Sequence, residues 1–219
     1  MPPDALAAEA AWALADLAAR EAPAVLPACR RLLERHPDCG PLWWVAARVV
    51  GADDPAAEAE WCAAAIESDP TPELLVGALG ELRVVRRGGV GDVASADVVL
   101  VPASAIGPDA MAVEAGCHGL LEAARTVGVP IWVESGVGRV LPGRLWASLV
   151  RRVGRSTEPS GRTVSVLRSS WFDDGPGASI GIIEPQVGVT SVVGPSGPVD
   201  PDGLALLADC SEPPGLVDW

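Results

Sequence analysis

Two apolar runs separated by one helical stretch constrain this chain more than any other feature. Val98 to Val101 is a near-continuous apolar strand, Val113 to Val127 carries a helical pattern, and Val129 to Glu134 (VPIWVE) is a second apolar strand. Strands that are apolar at nearly every position must be covered on both faces, and a helix between two of them returns the chain parallel to its start. The unit is therefore βαβ. Pro102-Ala103-Ser104 reads as a bend closing the first strand. Pro142 opens another helix with Leu145, Leu149 and Val153 on one side, a later strand is expected over Val187 to Val193, and Asp200-Pro201 has the form of a helix start. Gly154 to Gly181 has weak periodicity and reads as loop, apart from a strand over Val164 to Leu167.

The chain before this unit has a different texture. Leu6, Ala10, Ala13 and Leu17 recur at helical spacing with Glu9, Asp16 and Arg20 on another face, and Pro23, Pro37, Pro41, Pro55 and Pro70 punctuate four or five short helices. The fold class expected is α/β: a helical N-terminal region, residues 1–70, followed by a reduced Rossmann-like parallel-sheet domain, residues 71–219. Trp12, Trp43, Trp44 and Trp61 read as packing residues of the helices, the alternative being a ligand or partner surface.

Composition removes whole reaction classes. The 219 residues include no lysine, asparagine or tyrosine, a bias that points to a GC-rich bacterial genome. Without lysine there is no P-loop ammonium, no kinase strand lysine and no amine for a Schiff base. A net charge of −13 repels a phosphate backbone and an anionic bilayer, so neither nucleic acid nor membrane is an expected partner. No apolar run reaches the length of a membrane span, and no signal peptide is evident, which makes the expected location cytoplasmic. Cys29, Cys39, Cys62, Cys117 and Cys210 are scattered and form no C-x-x-C pair, so they read as small buried hydrophobes. His36 with Cys29 and Cys39 offers at most three soft ligands, and no metal or cofactor is expected.

The stretch ADVVLVPASAIGPDAMAVEAGCHGLLEAARTVGVPIWVE resembles a segment of the translation initiation factor 2B α/β/δ and methylthioribose-1-phosphate isomerase family. The match extends more weakly over GVGRVLPGRLWASLVRR and VGVTSVVGPSGPV. The resemblance implies an all-helical N-terminal part, a sheet of the sugar-phosphate isomerase and CoA-transferase type, and dimers formed through the sheet domain. It also shows what is missing. Where the family's isomerases read G-A-D with a catalytic aspartate, this chain reads Pro102, Ala103 and Ser104; where the family reads Asn-Lys, it reads Val113 and Glu114. A serine hydroxyl with no adjacent base is too weak an acid for the isomerases' proton transfer. The chain also has little room between Leu82 and Ala96 for further βα units, so it reads as a shortened relative.

Ligands of open α/β sheets lie outside the carboxyl ends of the strands, which places Ser104 and Asp109 beside Glu134, Ser135 and Arg139. The loop ESGVGRVLPG, with Gly136 and Gly138, could turn backbone N–H groups and Arg139 toward an anion; the plainer reading is a tight turn. His118 shares a helical stripe with Glu114, Glu122 and Arg125, either as a solvated ion-pair row or as a base with its orienting carboxylate. Arg139, Arg144, Arg151, Arg152 and Arg155 have no acid between them and form either a solvated face or a dock for an acidic partner or phosphorylated ligand. The function expected is a catalytically silent binding or assembly protein for a phosphorylated metabolite or nucleotide. The alternative is a sugar-phosphate isomerase that uses Glu134, Asp109 or His118 in a rearranged site; guanine-nucleotide exchange is a third possibility. A mean hydropathy of +0.28 with 49% hydrophobic residues adds a homodimer, with the strand VGVTSVVG at its interface.

Overall fold

A computed structural model describes residues 1–86, 90–114, 117–154, 164–166, 182–183 and 189–219. Five helices come first: α1 (Pro3–Glu21), α2 (Val25–Arg35), α3 (Gly40–Gly51), α4 (Pro55–Glu67) and α5 (Thr71–Leu79). Proline stands in the first turn of α1, α3, α4 and α5, where its missing N–H costs nothing, and the Asp54 carboxylate caps α4 by accepting from the Ala57 N–H. The alanine face of α1, with Ala7, Ala8, Ala11 and Ala15, lies against α4, whose own inward face is Ala59, Cys62 and Ala63. Small residues on both sides let the two backbones approach closely. Trp43 and Trp44 of α3 fill the centre, fully buried, and the Trp43 indole N–H donates to the Pro37 carbonyl at 2.9 Å. Trp12 and Trp61 remain 44% and 48% exposed, so the packing role expected of all four belongs to Trp43 and Trp44.

The sheet follows as β1 (Val84–Val85), α6 (Val90–Ala94), β2 (Val98–Ile106), β3 (Met111–Glu114), α7 (Cys117–Val127), β4 (Ile131–Glu134), α8 (Gly143–Val153), β5 (Val164–Val166), β6 (Ile182–Ile183), β7 (Val189–Gly194) and β8 (Gly197–Val199). A 3₁₀ helix (Pro201–Leu207) and α9 (Pro214–Val217) complete the described chain. β1, β2, β4 and β7 lie side by side and parallel, and β8 closes the row antiparallel to β7. The βαβ unit is present, with Val99 opposite Ile131 and Pro102 opposite Glu134. Period-2 alternation sorts its side chains: Val99, Val101 and Ala103 pack with α6 and α7, whereas Val98 and Leu100 pack with Leu75 and Leu79 of α5. Each fully buried valine or leucine of this kind contributes about 1.5–3 kcal/mol. Among the described residues, no helix is long and apolar enough to cross a membrane.

Three expectations need correction. β2 does not bend at Pro102; it runs on through Ser104 to Ile106, and its second half pairs antiparallel with β3, Ala103 opposite Val113 and Ile106 opposite Met111. The helix expected from Val113 begins at Cys117, because Met111, Ala112 and Val113 are fully buried as a strand between β2 and β5. Pairing on both sides outweighs a helical pattern four residues long. β7 is an interior strand between β4 and β8, its Val192 and Val193 fully buried, so the strand expected at a dimer interface has no free edge to offer one. The strand over Val164 to Leu167 is present as β5, while Leu167 and most of the loop expected over Gly154 to Gly181 lie outside the described residues.

The run of arginines has an occupant. Arg144 forms an ion pair with Asp218 at 3.0 Å, and Arg151 donates to the Val217 carbonyl at 3.0 Å. Arg152 donates to the Trp219 carbonyl at 2.9 Å and lies 3.5 Å from the centre of its ring. Arg30 of α2 stacks on the same ring at 5.3 Å and donates to the Gly215 carbonyl. The basic face of α8 thus clasps the chain's own acidic tail, seating Leu216 and Val217 in the helical core; Arg155 lies outside the described residues. The five cysteines form no disulfide, and burial pushes the thiols of Cys29, Cys39, Cys62 and Cys210 up to about 12.

Candidate functional site

Beyond Glu134 the chain leaves the sheet as the loop Ser135 to Val140, which Ser135 joins by donating its N–H to the Val193 carbonyl of β7 at 2.9 Å. Asp69, between α4 and α5, pins this loop: one carboxylate oxygen accepts from the Val137 N–H at 3.0 Å and the other from the Thr71 N–H at 2.9 Å. A Cβ at Gly136 would collide with that carboxylate, and Gly138 sits at φ +73°, where an added Cβ would come within 2.9 Å of the Trp44 ring. Only glycine takes that backbone conformation without strain, so the turn, the indole and the carboxylate fix one another.

The loop forms one wall of a cavity of about 510 Å³ at the carboxyl ends of β4 and β7. Trp44 and Trp61 also line it, together with the Gly194-Pro195-Ser196-Gly197 turn between β7 and β8, Leu207 and Asp209. The two indoles are 5.8 Å apart and tilted by 46°. Trp44 Nε1 donates to Asp209 at 2.6 Å, while the Arg48 guanidinium lies 4.2 Å from the Trp61 ring centre and 5.5 Å from that of Trp44. Burial works against the Arg48 charge, but its bond to Glu58 and the nearby Asp209 outweigh this and hold the guanidinium more basic than usual. The Ser135 hydroxyl has no hydrogen-bond partner although the residue is only 2% exposed. A buried hydroxyl left unpaired costs about 1–3 kcal/mol.

Of the residues singled out from the sequence, Ser135, Gly136 and Gly138 line this cavity. The others lie elsewhere. Glu134 ends β4 and is paired with Arg86 at 3.1 Å. Ser104 is half-buried inside β2, its carbonyl against Gly40 of α3, and Asp109 is exposed in the turn between β2 and β3. Arg139 turns its guanidinium away from the expected anion site: Nη2 donates to both oxygens of Asp4 at 2.8 Å and Nη1 donates to the Ala103 carbonyl. His118 lies on α7 without Glu114, which ends β3; burial lowers its pKa, the nearby Arg125 adds to this, and Glu122 opposes it. Its Nε2 is buried without a partner. Among the described residues no group of three histidine, cysteine or acidic side chains could hold a metal ion.

Asp69 and Asp209 were not foreseen at this site, and for Trp44 and Trp61 a ligand surface was only the alternative to helix packing. Asp69-Pro70-Thr71 carries a readable turn signal, but its bond to Val137 joins residues 68 positions apart, and no local pattern shows that.

No protein-family model matches the sequence, and no curated protein matches it. Solved structures do. Initiation factor eIF2B beta from Chaetomium thermophilum superposes with a TM-score of 0.65 and 14% identity over 99% of this chain and 87% of that one. The tetrameric eIF2B-beta2-delta2 complex from the same organism matches with a TM-score of 0.65 and 14% identity over 94% and 88% of the two chains. Translation initiation factor eIF-2B from Pyrococcus horikoshii OT3 gives 0.65 and 13% identity over 92% of each. A helical region followed by a mixed, mostly parallel sheet, matched along nearly its whole length, gives this chain the fold of the initiation factor 2B subunits.

Proposed function

We propose that the chain is a catalytically silent, small-molecule binding protein on the initiation factor 2B fold, acting as a homodimer. The observation that carries the reading is a cavity of about 510 Å³ lined by Trp61, the glycine loop after β4 and the turn after β7, in the size range of small-molecule sites and outside the strand ends where open α/β sheets bind ligands. Glu134, Asp109 and His118 do not line that cavity, which leaves the sheet's acid–base candidates away from anything bound in it. Proton transfer needs a group within hydrogen-bond reach of the reacting atom. For the dimer, support comes from the tetrameric eIF2B-beta2-delta2 neighbour and from Val76, a large apolar side chain left 73% exposed on α5.

The test is turnover. Purified protein should leave methylthioribose 1-phosphate and ribose 5-phosphate unchanged while a bound ligand raises its melting temperature. Isomerisation above background that disappears in Glu134→Gln would establish the rearranged-isomerase alternative instead. Light scattering behind size exclusion should give the mass of two chains, and a stable monomer at tens of micromolar would remove the homodimer.

A further inference from the structure

We infer that the homodimer closes through its helices: α5 of each copy lies in a groove between α1 and α2 of the other, Val76 seated among the groove's leucines and Glu73 set against its arginines. This rests on the homodimer proposed above and names the two surfaces that make it. The groove comes first. Leu14 and Leu17 of α1 and Leu32 of α2 line it beside Arg31 and Arg35, around a volume of about 240 Å³. That is below the roughly 300–1,000 Å³ of small-molecule sites. The two arginines apart, its lining is alanine and leucine, with no polar group to orient a ligand. A space of this size and lining suits an apolar side chain carried on a partner's helix.

Arg31 and Arg35 are the second observation. With 29 acidic residues against 16 arginines, carboxylates are plentiful in this chain. Arg48, Arg83, Arg86, Arg139 and Arg144 each pair with one of them. Arg31 and Arg35, both exposed and one helical turn apart, pair with none among the described residues. Like charges at i and i+4 repel, and a carboxylate brought between them relieves both. The groove therefore fits an apolar segment that carries acid beside it.

α5 is such a segment. Val76 is 73% exposed, and with Leu74 and Leu82 it makes three of the seven exposed large apolar side chains among the described residues, all within nine positions. Leu75 and Leu79 are buried against the sheet, so helical geometry puts Glu73, Val76 and Gly77 together on the outer face. Glu73 has no partner among the described residues. Gly77 weakens the helix relative to alanine, yet nothing of this chain lies within 4 Å of where its Cβ would stand. Close approach of a second backbone gives that glycine a reason. In a two-fold dimer the contact is made twice, α5 of each copy in the groove of the other.

Exchange of charges on the full chain tests this, read by light scattering behind size exclusion over a dilution series. Arg31→Glu with Arg35→Glu, and separately Glu73→Arg, should each raise the dimer dissociation constant at least about tenfold, and all three together should restore it. Val76→Asp should weaken the dimer as much while its circular dichroism stays that of the parent, because the side chain is exposed in one copy. Gly77→Ala should weaken the dimer yet raise the melting temperature of the monomeric Arg31→Glu, Arg35→Glu background. A dimer indifferent to both charge reversals would overturn this contact and leave the homodimer standing. Loss in the separate reversals that the combined variant does not restore would overturn the pairing of α5 with the groove. A parent with the mass of one chain would overturn the contact and the homodimer together.

Discussion

β2 and β4 are neighbouring parallel strands, yet their carboxyl ends have opposite fates. β2 continues past Pro102 into an antiparallel pairing with β3, and α3 lies directly over it, with Gly40 against the Ser104 carbonyl and the Ala105 side chain. Its Ala103, Ala105 and Ile106 are fully buried. β4 stops at Glu134, and the glycine loop that follows rests on Trp44 at Gly138 and borders an open cavity with Trp61. The general rule that ligands lie at strand ends is satisfied by only one of the two. The difference teaches that a strand end becomes a site when the chain beyond it turns away; where the strand keeps pairing, the same position becomes core.

Substitutions at the filled end should cost stability, and those at the open end should not. Gly40→Val places a side chain where its Cβ collides with the Ser104 carbonyl and lies 2.9 Å from the Ala105 Cβ. Because backbone rather than a flexible tip must move, chemical denaturation should show a loss of about 3–5 kcal/mol. A loss below about 1 kcal/mol would mean that the β2 end is looser than its burial indicates. Arg139→Ala removes the tie between α1 and the glycine loop and leaves the Ala103 carbonyl without its donor; the expected loss is about 2 kcal/mol, held down because Asp4 is partly exposed. Ser135→Ala, at the open end, should leave the unliganded protein within about 0.5 kcal/mol of the parent, since that hydroxyl gives up no partner. A marked loss there would show that the cavity wall is core after all.

The smallest effect belongs to Asp97, just before β2. Its bonds to the Arg83 side chain and N–H hold the carboxyl at about 2, below an ordinary value of 3.8. A depressed carboxylate stabilises the fold above its unfolded pKa, and that contribution fades as pH falls from about 4 through about 2. Asp97→Asn should therefore narrow the stability difference between pH 5 and pH 2.5. An acid limb identical to the parent's would remove Asp97 from acid unfolding.

Much of this architecture was legible because it is local. The apolar runs of β2 and β4, the prolines opening the first helices, Pro142 before α8 and the Asp200 cap of the 3₁₀ helix each declare themselves within a few residues. β3 was misread because Met-Ala-Val-Glu has no strong preference of its own and is decided by its neighbours β2 and β5. At the cavity, the loop residues Ser135, Gly136 and Gly138 follow from the strand-end rule, while Trp44, Trp61 and Asp209 arrive from distant helices and turns. Arg139 shows the limit most sharply. Nothing near it in sequence reveals that Asp4, 135 positions away, takes its guanidinium.

The clasp that α8 and Arg30 place on the tail reaches into how the protein is made. Leu216 and Val217 belong to the same core as α1, α3 and α4, and Arg30 is joined to a carbonyl 185 positions later. During synthesis α1 to α4 precede α9, so their core closes only once residues 214–217 have been made, and contacts this distant form slowly. Until then Leu26, against which Gly215 packs, lacks that cover. Helices made before the sheet are thus finished after it.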